Sequence, residues 1–179
     1  MWLVHQAEDG LTAGVIVETE AYGGPEDLAS HARAGRTRRT TPMFGEVGHA
    51  YVYLVYGMHE CLNVVAYDDA RAEAGAVLLR ALEPVAGVDL MRRRRQRATD
   101  ADSRLCSGPA RLCQALAVDR SFDGHDLTMS DRLWLARPAD GSTPGDIATG
   151  PRIGVEYAGE WASRPWRFWL AGHPSVSRR

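Results

Sequence analysis

Apolar and polar residues alternate with a period of two in several short segments, which is the pattern of half-buried β-strands. The strongest pattern covers residues 50–67, where two apolar runs flank Gly57, Met58, His59 and Glu60. A four-residue connection that contains glycine is typical of a β-hairpin loop, so this segment predicts a hairpin. The other segments predicted as strands are residues 2–5, 14–22, 75–82, 133–136, 153–155 and 167–170.

Three segments predict helices. Residues 25–31 begin with a proline and two acidic residues, residues 88–95 are strongly basic, and residues 107–116 open with Ser-Gly-Pro. Residues 138–151 are rich in Gly, Pro, Asp and Thr and predict a loop. Because strands and helices do not alternate regularly, the pattern favours an α+β fold, with a curved antiparallel sheet, a protruding hairpin and surrounding helices. No linker divides residues 1–179, which we interpret as a single domain.

Composition narrows the class of protein. With 179 residues, 45% hydrophobic and 25% charged, the chain resembles an ordinary globular domain, and its apolar runs are too short to span a membrane. Three cysteines without CxxC spacing suggest no disulfide framework, and a reducing cytoplasm is the expected compartment. All 21 basic residues are arginines. Without lysine, no side-chain amine is available to form a Schiff base with a sugar carbon.

The segment VIVETEAY, residues 15–22, interrupts an apolar run with Glu18, Glu20 and Tyr22 at alternating positions. Strand geometry places these three side chains on one face. Charged residues on an edge strand often prevent edge-to-edge pairing, and that is the simpler interpretation of the two glutamates. The alternative is that a carboxylate lies in a site, where it can act as a general base.

The remaining chemistry consists of acids, aromatic residues and arginines. The chain has no Walker loop, no G-x-G-x-x-G, G-x-S-x-G or HExxH motif, and its six scattered histidines predict no metal site and no cofactor. A carboxylate beside tyrosines could activate water against a glycosidic carbon while the aromatic faces hold a base. Two alternatives are a catalytically silent nucleic-acid binding module and an enzyme that uses the same carboxylate on a small nucleoside or other carbonyl substrate.

Several segments, in order along the chain, resemble the motifs of the alkyladenine (3-methyladenine) DNA glycosylase family. They read VETEAYGGPEDLASHA, TPMF, YVYLVYGMHECLN, VLLRALEP, LCSGPARLCQALAV and AGEWASRPWRF. The resemblance implies a mixed α/β domain and a monofunctional DNA repair enzyme, which removes damaged purines from duplex DNA by base excision. It also implies a monomer in a bacterial cytoplasm, associated with the nucleoid when bound to DNA, and no metal or cofactor.

The resemblance assigns roles to seven residues. Glu20 matches the general base that activates the attacking water, and Tyr56 matches the residue that fills the stack after the nucleotide has flipped out. The residues that match the base-binding pocket are Tyr22, His31, Tyr53, Asn63 and Arg80.

The chain differs from the family pattern at its start. Family members carry an N-terminal segment with a helix before the first strand, which we expect to be missing here. Two features of the sequence have two interpretations each. Glu18 either orients a neighbour or faces solvent, and the arginine run at residues 92–97 is either a solvated helix face or a DNA contact.

Overall fold

The computed structural model describes residues 1–67, 73–129, 131–138 and 145–177. Eight strands form a curled sheet in which every pairing is antiparallel and the order is β3-β4-β5-β2-β1-β6, with β8 paired to both β2 and β7. The strands are β1 Trp2–Ala7, β2 Gly10–Tyr22, β3 Ala50–Val55, β4 His59–Val65, β5 Ala76–Ala86, β6 Leu133–Ala136, β7 Ile147–Gly150 and β8 Arg167–Leu170.

Three α-helices cover one face of the sheet: α1 Val88–Arg95, α2 Asp102–Leu105 and α3 Pro109–Leu116. Short 3-10 segments lie at His31–Ala34, Thr41–Phe44, Arg120–Phe122 and Glu156–Ser163. The main core lies between the helices and the sheet, where Leu62, Leu79 and Leu82 pack with Met91 and Leu112. The predicted α+β class is confirmed. Among the described residues, no helix is both long and apolar enough to cross a bilayer.

Strand β2 is an interior strand along its length. It has 13 residues, whereas β1 has 6, so β1 covers only its first half and the C-terminal strand β8 pairs with its second half. Strand β5 runs along the other side, with register shifts on both sides of Glu18. The edge-strand interpretation of Glu18 and Glu20 is therefore wrong.

The strands β3, β4 and β5 present opposite faces to two different environments. On β5, Leu79 packs in the main core, whereas the alternate residues Leu78 and Arg80 line a cavity on the other face. On β4, Leu62 likewise packs in the main core, and Asn63 lines the cavity. The period of two that identifies these strands in the sequence thus also divides core residues from cavity residues.

Three predictions of secondary structure are wrong, and the hairpin turn comprises residues 56–58 rather than the predicted 57–60. Residues 25–30 form turns rather than the predicted helix, and His31 begins a 3-10 segment, because the buried Asp27 carboxylate accepts hydrogen bonds from the backbone N–H groups of Gly23 and Ala29. Residues 153–155 form no strand, and the Ile153 N–H instead donates to Glu20. The strand of that region is β7, inside the predicted loop, of which residues 139–144 lie outside the described residues.

Candidate active site

A cavity of about 440 Å³ opens on the face of the sheet opposite the helices. Strands β3, β4 and β5 form its floor, and the chain segments after β2 and β7 form its walls. Six of the seven residues predicted for the site line it: Tyr22, His31, Tyr53, Tyr56, Asn63 and Arg80. The seventh, Glu20, is 0% exposed and lies directly behind the lining, in contact with Tyr22, Arg80 and Ile153.

Aromatic rings form much of the cavity wall. The rings of His31 and Tyr53 meet edge to face at 4.6 Å, and Tyr51 lies 5.2 Å from Tyr53. The hydroxyl of Tyr51 lies 3.0 Å from Nδ1 of His31 and fixes the orientation of that ring. Burial, followed by the charges of Arg39 and Arg33, lowers the pKa of His31 to about 4, so the ring is neutral near pH 7.

Three protein groups donate hydrogen bonds to Glu20. The Ile153 N–H lies 2.7 Å from Oε1, while the Tyr22 hydroxyl and Nη1 of Arg80 lie 2.9 and 3.2 Å from Oε2. Burial, and then the charge of Glu20, raises the pKa of Tyr22 far above its usual range, so the hydroxyl keeps its proton as a donor. An ionised carboxylate accepts about four hydrogen bonds. Among the described donors, one acceptor position of Glu20, on Oε1, has no protein partner.

Glu18 lies deeper than Glu20 and is 1% exposed. Its carboxylate accepts from Nε of Arg80 at 3.1 Å, from Nε of Arg167 at 2.7 Å, and from the hydroxyl and N–H of Ser177 at 2.9 and 2.6 Å. Burial raises the pKa of Glu18, but the hydrogen bonds from Ser177 and Arg167 and the charge of Arg80 outweigh it, and the net pKa is lowered. Glu18 is therefore a buried anion, and the interpretation that it faces solvent is wrong.

A second buried ion pair supports Tyr22. Nη1 and Nη2 of Arg152 lie 2.6 and 2.9 Å from the two carboxylate oxygens of Asp27, and both side chains are 0% exposed. The guanidinium carbon of Arg152 also lies 4.8 Å from the centre of the Tyr22 ring and 5.0 Å from that of Trp166. The ion pair thus fixes both the loop after β2 and one aromatic wall of the cavity.

The remaining predicted residues lie on the hairpin and beside it. Asn63 is buried and donates to the backbone oxygen of Tyr51 at 3.0 Å, which orients its amide at the cavity wall. Tyr56 is at the hairpin turn, 89% exposed, with a positive φ of 52°. A left-handed backbone is unusual for a bulky residue and is often found where function requires it.

The sequence did not identify most of the other residues that line the cavity, among them Arg39 and Tyr157, which carry polar groups. Arg39 belongs to the segment of residues 33–39, which contains four arginines, and its guanidinium carbon lies 5.3 Å from the centre of the Tyr53 ring. Tyr157 is 63% exposed at the cavity wall, with Arg33 packed on its ring at 5.4 Å. The cluster of arginines was a signal for Arg39, whereas no periodicity distinguishes Tyr157.

The arginine run on α1 has a structural role. Arg92 contacts Asp102 and the backbone of Asp100, Arg94 contacts Asp9, and Arg95 donates to the Leu105 oxygen at 2.6 Å. These three side chains tie the helix to its neighbours, so the interpretation of a solvated helix face is wrong for them. Arg93 and Arg97 are exposed.

Comparison with known sequences identifies relatives that match nearly the whole chain. A sequence model described as methylpurine-DNA glycosylase matches residues 1–174. The DNA-3-methyladenine glycosylase of Mus musculus is 47% identical over 185 residues, which cover 98% of this chain and 54% of the relative. The human protein of the same name is 48% identical over 173 residues, covering 92% and 56%. A relative from Methanocella arvoryzae is 46% identical over 177 residues, covering 99% and 86%. The chain thus spans about half the length of the two mammalian relatives.

Proposed function

The chain belongs to the methylpurine-DNA glycosylase family, and we propose that it hydrolyses the N-glycosidic bond of alkylated or deaminated purines in double-stranded DNA. This reaction is the first step of base-excision repair. The observation that carries the proposal is the position of Glu20, a buried carboxylate with one acceptor position left, directly behind an aromatic cavity of base-sized dimensions.

The flipped purine enters the cavity between Tyr22 and Tyr53. Alkylation at N3 or N7 makes the purine cationic, and a cation is attracted to the face of an electron-rich ring by about 0.5–2 kcal/mol. The neutral His31 ring, oriented by Tyr51, is then a hydrogen-bonding partner rather than a repelling charge. Asn63 crowds the exocyclic 2-amino group of guanine, so the cavity rejects one normal purine by steric clash.

Glu20 activates the water. As the water oxygen forms its bond to C1′, Glu20 takes the proton and the C1′–N bond breaks, with its electron pair leaving on the base. A cationic purine departs as a neutral base, so the damage itself lowers the barrier. A neutral lesion such as hypoxanthine needs a proton on its leaving group and depends more on the site. Arg80 lies beside both Glu20 and the cavity, where it meets the phosphate of the flipped nucleotide.

The hairpin tip enters the duplex. Tyr56 fills the space that the flipped nucleotide leaves, which offsets part of the unstacking cost of a few kcal/mol. Duplex DNA is the partner, and one protein molecule engages one lesion. Because the chain has no lysine, the product is an abasic site in an unbroken strand.

The test is release of free base from duplexes that carry one 3-methyladenine, hypoxanthine or ethenoadenine. Under single-turnover conditions, Glu20→Gln should reduce the rate at least about a hundredfold, because the amide cannot take the proton, with duplex binding retained. Strand breaks should form only after alkali treatment.

Glu83→Gln is the matched control, since Glu83 is a half-exposed glutamate on β5 that contacts His173 rather than the cavity. It should release base at the wild-type rate. If the folded wild-type protein binds duplex DNA but releases base from none of the three lesions, the protein is a silent binding module and the proposal is wrong.

A further inference from the structure

Arg80 divides its guanidinium among three partners. Nε lies 3.1 Å from Oε1 of Glu18, Nη1 lies 3.2 Å from Oε2 of Glu20, and Nη2 lies 3.4 Å from the hydroxyl of Ser177. An arginine beside a single carboxylate usually forms two parallel hydrogen bonds with it. Here Glu18 holds one edge of the fork, so that only one N–H is directed to Glu20.

The C-terminal part of the chain completes this arrangement. Arg167 of β8 donates to the same oxygen of Glu18 that Arg80 contacts, and Ser177 donates to Glu18 through both its N–H and its hydroxyl. Glu18 therefore accepts four hydrogen bonds from residues 80, 167 and 177, three of them on Oε1 and one on Oε2. A buried carboxylate with four protein donors can hold its neighbours in place.

The charged and titratable groups around Glu20 come from four strands, including β4, where the buried Cys61 thiol lies close enough for the charge of Glu20 to contribute to its raised pKa. Arg80 faces it from β5, Tyr22 and Glu18 belong to β2, and Arg167 reaches Glu18 from β8. Without the negative charge of Glu18, Arg80 would be free to turn its whole fork to Glu20. Two parallel hydrogen bonds would then occupy the acceptor position that water needs, and the undivided positive charge would make Glu20 a weaker base.

We propose that Glu18 is a positioning residue, which holds Arg80 and the C-terminal segment so that Glu20 keeps an acceptor position for water. The inference rests on the proposed function, because it concerns the water that attacks the sugar. It assigns different tasks to the two glutamates of the ETE segment. Glu20 takes the proton, and Glu18 fixes the arginine between them.

The test is the pH dependence of single-turnover base release by Glu18→Gln, whose amide keeps the shape but loses the charge. The plateau rate should fall at least about tenfold, because Arg80 now occupies the position of the water. The acid limb of the profile should move to lower pH by about half a unit, because the ionised form of Glu20 gains the whole charge of Arg80. Duplex binding should stay within about twofold of the wild-type value.

Ser177→Ala is the second variant, because it removes one hydroxyl shared by Glu18 and Arg80 and leaves both charges in place. It should shift the acid limb in the same direction by a smaller amount, and it tests the inference if Glu18→Gln does not fold. Glu83→Gln removes a carboxylate of β5 that contacts His173 rather than Arg80. It should leave both the plateau rate and the acid limb unchanged.

The outcomes separate the two proposals. A parallel loss of rate and thermal stability, with the acid limb unmoved in each folded variant, would mean that Glu18 only stabilises the fold, and would overturn the inference alone. Base release by Glu18→Gln at the wild-type plateau would do the same. Failure of the wild-type protein to release any base would overturn the proposed function, and this inference with it.

Discussion

The two ends of the candidate site differ in how their side chains are held. The side chain of Arg152 is 0% exposed, is bound by both oxygens of Asp27 and packs on two aromatic rings. Tyr56, at the hairpin tip, is 89% exposed and has a left-handed backbone. We call Glu18, Asp27, Arg80, Arg152 and Arg167 the buried support, and residues 56–58 the tip. The support fixes the wall that meets the base, and the tip stays free to meet the duplex.

This comparison predicts that the two regions respond oppositely to substitution. Changes in the support should cost folding stability, because they leave a charge buried without its partner. Changes at the tip should cost activity and leave stability intact or improved, because the tip carries strain and buries little surface. The predictions below test that division, beginning with the largest expected effect.

Asp27→Asn should lower the free energy of unfolding by about 3 kcal/mol, since the Arg152 charge loses its buried counter-charge. Urea denaturation at pH 7 measures the change. Asp89→Asn is the matched control, because its carboxylate is 92% exposed and 4.0 Å from Arg92, and it should have little effect. Equal changes in the two variants would contradict the comparison, since the support would then be no more important than a surface pair.

Tyr56→Gly should lower single-turnover base release about tenfold, because the wedge that offsets unstacking is lost. The same change should raise the unfolding free energy by about 0.5 kcal/mol. The backbone strain that glycine removes at a left-handed position exceeds the free-energy cost of glycine's greater conformational entropy in the unfolded chain. The measurements are base release and urea denaturation of the same sample.

Gln96→Gly is the control for the tip, because Gln96 has the same φ of 52° at the end of α1, far from the cavity. It should gain similar stability, as glycine is favoured after a helix, and should release base at the wild-type rate. A loss of stability in Tyr56→Gly would show that the tip is packed, and would remove the contrast with the support.

The sequence predicted the local parts of this architecture well. The hairpin, helices α1 and α3 and strands β6 and β8 follow from periodicity and helix-start residues within short segments. The alternation along β3, β4 and β5 also predicts which residues share a face. Family resemblance named the cavity residues, because motif identity carries information that periodicity does not.

The pairings within the support could not be predicted, because they join distant parts of the chain. Arg152 lies 125 residues from Asp27, and Arg167 lies 149 residues from Glu18. A buried ion pair has no period, and each partner alone resembles a surface charge. The same contacts explain the errors, since Asp27 binds the amides of a predicted helix and Glu20 binds the amide of a predicted strand.

His31 gives the smallest predicted effect and locates the boundary between the two regions. Its pKa is lowered to about 4, first by burial, so between about 6.5 and 4 the unfolded chain binds a proton that the folded protein does not. The neutral His31 ring therefore costs no folding stability above about pH 6.5, and stability is lost as the pH falls towards 4. Urea midpoints at pH 7 and 5 should therefore differ less in His31→Gln than in the wild-type protein. His59→Gln, at an exposed position next to the tip, should keep the wild-type difference. If the two variants show the same difference, burial does not lower the pKa of His31. The cavity wall at His31 is then as open to solvent as the tip.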